Sequence, residues 1–241
     1  MKKIVRVLCL VALIAGATAS QAQFRQSVFL NGVLPMGNWT NKIDASNVPL
    51  GYTEAGKDAS IGFGLGYRVS YRFNVGIGEV APFVNADVFW NTISSNWNTK
   101  YLDANSVAPN YLNVPLMAGV SYFYDQLWND ITPYGEFGVG ADMMLITPEG
   151  AGKVNGFEFK KFGYKPSISL CWMVGFGSYF GRHVSAGVYL YGLGTHTVDY
   201  SDNTLKKNEA ANIQMTIANN TNAPRQKREV GALALRIGFH F

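Results

Sequence analysis

Cysteine is all but missing from this chain of 241 residues: only Cys9 and Cys171 occur, and Cys9 lies inside the N-terminal apolar segment. With that segment removed on export, a single thiol remains, which excludes an intramolecular disulfide and a stapled secreted scaffold. Histidine is equally scarce, and three scattered histidines beside one cysteine make no metal-ligand signature. Charge is low at 15%, where an ordinary soluble domain carries about a quarter; the deficit points to a chain that meets lipid. Past the N-terminus no stretch approaches the roughly 18 consecutive apolar residues of a membrane-spanning helix.

What the N-terminus does hold is an export leader. Lys2, Lys3 and Arg6 precede the apolar "IVRVLCLVALIAGA", and "SQA" at 20–22 offers small residues for cleavage before Gln23, with "ATA" at 17–19 as an alternative. The expected organisation is a cleaved signal peptide over 1–22 and one domain over 23–241. The leader contains three of the 20 basic residues and none of the 16 acidic ones, so the remainder has a net charge of only +1. With no basic stripe beyond "RQKR" at 225–228, nucleic acid is not an expected partner.

The most ordered pattern is "DASIGFGLGYRVSYRFNVG" at 58–76. Ile61, Phe63, Leu65, Tyr67, Val69, Tyr71 and Phe73 occupy alternate positions, with Gly62, Gly64, Gly66, Arg68, Ser70 and Arg72 between them. Period-two alternation is the signature of a strand, whose successive side chains point to opposite faces. The glycines alternate within that strand, so they are not the phosphate-binding loop that "GFGLG" superficially suggests. Seven further segments alternate in the same way: 24–34, 81–92, 111–124, 133–146, 166–180, 184–195 and 230–241.

Two architectures put apolar residues on one strand face. A soluble sandwich or lipocalin-like barrel turns them inward, and an outer-membrane barrel turns them out to lipid. Within the eight segments the charged residues are Arg25, Arg68, Arg72, Asp87, Glu136, Asp142 and Arg236, and each falls opposite the large apolar set. An arginine or lysine on a lipid face near the midplane costs about 2–4 kcal/mol, which explains the exclusion. The opposite face is rich in Gly, Ala and Ser rather than in solvating side chains, which suits the crowded interior of a small barrel. The expected fold is therefore all-β: an eight-stranded antiparallel transmembrane β-barrel.

The connections agree. Short links at 75–80, 125–132 and 181–183 alternate with long polar ones at roughly 35–58, 93–110, 147–165 and 196–229, the pattern of periplasmic turns and external loops. Aromatic residues gather at the expected strand ends: Tyr71, Phe73, Tyr122, Tyr124, Phe180, Phe239 and Phe241 at one end and Trp90 at the other, as interfacial girdles do. The alternating "NIQMTIANN" at 212–220 suggests strands continuing past the membrane or an external hairpin.

The "QAQ" junction at 21–23, the strand "GFGLGYRVSYRF" and the last strand "LALRIGFHF" resemble the small outer-membrane β-barrel family common in Bacteroidota, of OmpA/OmpX-like architecture, over essentially all of 23–241. The resemblance implies outer-membrane localisation in a Gram-negative envelope, contact with lipid and lipopolysaccharide, and delivery by the barrel-assembly machinery. Leu235, Ile237, Phe239 and Phe241 are similar to the C-terminal signal that this machinery reads. No peptidoglycan-binding domain is read after the barrel.

Two constellations carry possible chemistry. Arg68, Arg72, Asp87, Glu136, Asp142 and Arg236 are expected to form an ion-pair network plugging the lumen, with a polar pore or gate as the alternative. Counted from the turns, Arg68 is expected near the level of Asp87, and Arg72, Glu136 and Arg236 nearer the periplasmic end. His196, Asp199 and Ser201 lie where strand seven is expected to leave the membrane, and lipid A-modifying barrels place such sets there; the spacing is unspecific, and no catalytic residue is assigned. No cofactor and no metal are expected. The reading is a non-enzymatic outer-membrane protein whose external loops meet envelope or host-surface proteins or serve a secretion assembly. The alternatives are a narrow porin-like passage for small or hydrophobic solutes and a lipid A-modifying enzyme.

Overall fold

In the computed structural model, residues 24–42, 57–93, 110–124, 130–147, 152–154, 157–205 and 226–241 are described here; the expected leader 1–22 and the segment 212–220 lie outside them. Eight strands follow one another around a cylinder: β1 (Phe24–Met36), β2 (Ala59–Tyr71), β3 (Glu79–Ile93), β4 (Asn110–Phe123), β5 (Ile131–Ile146), β6 (Ser167–Phe180), β7 (Val184–Val198) and β8 (Gln226–His240). A two-residue continuation of β2, Phe73–Asn74, pairs with the start of β3. Each strand pairs antiparallel with its neighbour in sequence, and β1 pairs with β8 from Ser27↔His240 to Met36↔Gly231, so the sheet closes. Closure leaves the cylinder no unpaired edge.

The two walls differ as the alternation requires. The outer wall carries large hydrocarbon side chains open to the surroundings, with Leu170 84%, Ile168 72% and Phe176 67% exposed. The outward positions of the eight strands carry charge only at Lys227 and Glu229, at the start of β8. The inner wall is largely buried, and it is more aromatic than its count of small residues suggests. Phe29, Phe83, Phe89, Tyr111, Phe123, Tyr134, Tyr179, Tyr189 and Tyr191 fill the cylinder beside the polar groups. Eight strands enclose a space that side chains can fill, and here they do.

The strands extend further than the alternation alone indicates at the long-loop end. β7 runs to Val198 and pairs with Gln226, so much of the expected link at 196–229 begins and ends as a hairpin. Residues 157–164 pair with 200–205 and with 152–154 in a small second sheet. The charge of "FEFKKFGY" makes 157–164 read as a polar linker, although Phe157 and Phe159 alternate with Glu158 and Lys160.

Candidate functional site

The lumen is the site. Its central layer is an ion pair between Arg68 on β2 and Glu136 on β5, across the barrel. Arg68 Nη1 and Nη2 donate to Glu136 Oε2 and Oε1 at 2.6 and 2.5 Å, and Ser121 Oγ donates to Oε2 at 2.9 Å. The guanidinium lies 3.9 Å from the centre of the Phe83 ring and 5.0 Å from that of Phe29. A two-pronged contact of this kind combines charge with fixed geometry, and the ring faces add cation–π attraction.

A second layer joins Arg236 on β8 to Asp87 on β3. Arg236 Nη2 donates to Asp87 Oδ1 at 2.8 Å and to Tyr191 Oη at 2.5 Å, and Nε donates to Asn31 Oδ1 at 2.8 Å. Asp87 also accepts from Tyr191 Oη at 3.0 Å and Asn85 Nδ2 at 2.5 Å. Both charged side chains are wholly buried. Gly66 opposes Asp87 in the ladder, and a Cβ there would stand 2.0 Å from Asp87 Oδ1. The glycine in "GFGLG" thus makes the dent into which the carboxylate fits.

Arg68 pairs with Asn85 and Gly66 with Asp87 in the ladder, so Arg68 lies near the level of Asp87, yet the two are not partners. Arg68 meets Glu136 rather than Asp87, and Asp87 meets Arg236. Barrel strands tilt and their register staggers, so positions equidistant from the turns are not at equal height. A guanidinium also reaches across the lumen to a non-neighbouring strand. Arg72, at the short-turn end, donates to Glu79 Oε2 at 2.8 Å, and Arg25 donates to the Arg182 carbonyl at 3.2 Å.

Toward the long-loop end, Asp142 on β5 faces His196 on β7, with Nε2 3.1 Å from Oδ2 and both side chains fully buried. His196 is inward because β7 contains a bulge. Gly192 pairs with Gly231 and Gly194 with Val230, which leaves Leu193 as an extra residue. Gly194 has φ +94°, a left-handed conformation that glycine adopts without a Cβ penalty. Before the bulge Tyr189 and Tyr191 point in; after it the phase shifts and His196 and Val198 point in. Of the trio His196, Asp199 and Ser201, the side chain of Ser201 lies outside what is described; His196 Nδ1 and Nε2 lie 3.2 and 3.0 Å from the Ser167 and Leu193 carbonyls. Asp199 accepts from Lys165 Nζ at 3.0 Å.

Trp39 forms part of the lumen's ceiling. A 3-10 turn, Asn38–Thr40, follows β1 and buries the indole against Tyr111, with ring centres 5.5 Å apart. Its Nε1 donates to the Met36 carbonyl at 2.6 Å. In the sequence Trp39 sits in a polar link, and only its size hints at burial. Near the opposite end, His240 lies between Ser27 Oγ at 2.7 Å from Nδ1 and Ser185 Oγ at 2.8 Å from Nε2. Leu235, Ile237, Phe239 and Phe241 are exposed on the outer wall.

Among the described residues no group of three or more His, Cys, Asp and Glu could hold a metal. Fold and inverted polarity together define a class: a closed eight-stranded β-barrel, oily outside and filled with paired charges and aromatic rings inside. No protein-family model matches the chain, and no curated protein does. Solved structures similar to it include Ail, the attachment invasion locus protein of Yersinia pestis, at 13% identity over 92% of this chain and 100% of that one, with a TM-score of 0.43. The outer membrane protein OprG from Pseudomonas aeruginosa is 12% identical over 91% of this chain and 95% of that one, with a TM-score of 0.43. The outer membrane enzyme PagL is 11% identical over 88% and 97%, with a TM-score of 0.40.

Proposed function

We propose that this chain is a non-enzymatic integral outer-membrane β-barrel. Its plugged lumen makes it a scaffold that presents the long-loop end for surface interaction or for a place in an envelope or secretion assembly. One observation carries this reading: two buried arginine–carboxylate layers, packed by aromatic rings, cross the lumen. Membrane residence is supported by the outer wall, since a soluble barrel would expose no such continuous apolar face. The resemblance to small Bacteroidota barrels of OmpA/OmpX-like architecture belongs to this proposal. So does recognition of Leu235, Ile237, Phe239 and Phe241 by the assembly machinery.

The test is conductance of the refolded protein in planar bilayers. The expected record shows no steady unitary current; a reproducible open level would overturn the plug in favour of a narrow passage. Lipid A mass spectra of cells making the wild type or H196A are expected to be identical. A change that depends on His196 would overturn the non-enzymatic reading. A compact monomer that stays dissolved without detergent would overturn membrane residence.

A further inference from the structure

At the short-turn end the lumen opens into a polar cavity of about 320 Å³, lined by Arg25, Arg72, Asp130, Thr132, Tyr179 and Arg182. Three arginines line it from three parts of the chain: β1, the residue after β2 and the turn between β6 and β7. Arginine clusters held close together repel one another, and such an arrangement is stabilised by an anion between them. Among the described residues, acidic groups answer only part of the charge. Glu79 pairs with Arg72 at 2.8 Å, and Asp130 stands on the wall.

The donors are not used up. Arg72 is held in place by Glu79 at Nη1 and by the Phe123 ring, whose centre is 3.9 Å from the guanidinium carbon. Its Nη2 is buried without a hydrogen-bond partner. Tyr179, the neighbouring wall residue, directs its hydroxyl to His240 Nδ1 at 3.1 Å. Arg25 uses Nη1 on the Arg182 carbonyl, which ties the β6–β7 turn across the mouth. Guanidinium groups arriving from separate directions match an acceptor with oxygens on several faces better than a planar carboxylate, which one fork satisfies.

From this geometry we infer that the short-turn vestibule is a binding site for a tetrahedral oxyanion of the phosphate or sulfate class, held by Arg25, Arg72 and Arg182. The site requires only the folded barrel, so it stands or falls independently of the lumen's conductance. Thr132 supplies a hydroxyl on the wall, and Asp130 sets an upper bound on how much negative charge the site tolerates.

The experiment is equilibrium dialysis of radiolabelled inorganic phosphate against the full chain folded in neutral detergent, at matched ionic strength with chloride as the counter-anion. Saturable binding is expected, displaced by sulfate and much less by acetate. R25Q and R182Q are each expected to weaken it about tenfold, the equivalent of about 1.4 kcal/mol, whereas D130N tightens it. Arg182 lies on an exposed turn, so R182Q keeps the barrel intact, which heat-modifiable gel mobility checks. Absence of saturable binding by the folded wild type would overturn the inference. So would R25Q and R182Q proteins that bind as the wild type does.

Discussion

Glu136 and Asp142 lie six residues apart on the same face of β5, both buried, yet their surroundings are opposite in kind. Glu136 receives two guanidinium bonds and a serine hydroxyl. Asp142 faces His196, but neither of its oxygens has a well-formed hydrogen bond. On β4 Asn113 has both amide atoms, and on β3 Asn91 has its carbonyl, buried without a partner. Glu136 itself is fully answered and Asp142 only loosely, although Arg68 Nε and Arg236 Nη1 are also buried without a partner. A buried carboxylate with complete partners is fixed in one arrangement, so the difference separates a tightly held carboxylate from a loosely held one.

Substitutions can break this contrast at its strong side first. E136A strands a buried guanidinium, which cannot shed its proton, and is expected to lower stability by about 3–5 kcal/mol; urea unfolding in detergent measures it. L170R tests the outer wall instead and is expected to cost about 2–4 kcal/mol in lipid bilayers, read by unfolding in vesicles. H196L should cost less than E136A, because Asp142 can take up a proton when its partner is lost, and the same urea titration ranks the two. At the weak end, N113L removes two unpartnered polar atoms and is expected to be neutral or mildly stabilising. A loss as large as that of E136A at Asn113 would erase the contrast.

The fold was legible because every long strand alternates. "GFGLGYRVSYRF" and "SISLCWMVGFGSYF" each declare two faces, and in the first both charges, Arg68 and Arg72, fall on the same one. Partnerships inside the lumen were less legible, since strand tilt and cross-barrel reach decide that Arg68 finds Glu136 and Asp87 finds Arg236. His196 was harder still. Strict alternation from Tyr191 carries it outward, and only the extra residue at Leu193, with Gly194 in a left-handed conformation, turns it in. Trp39 and the pair Tyr134 and Tyr189, whose hydroxyls lie 2.7 Å apart, were hidden because a filled barrel needs large inward residues and alternation does not say which.

The seam between β1 and β8 is sewn from the two ends of the domain, with Gln26 and Phe241 exchanging backbone hydrogen bonds. A copy lacking its final stave would leave β1 and β7 each with a bare rim, ready to pair with strangers. Completion of the ring therefore depends on β8, the one strand that covers both of these rims at once.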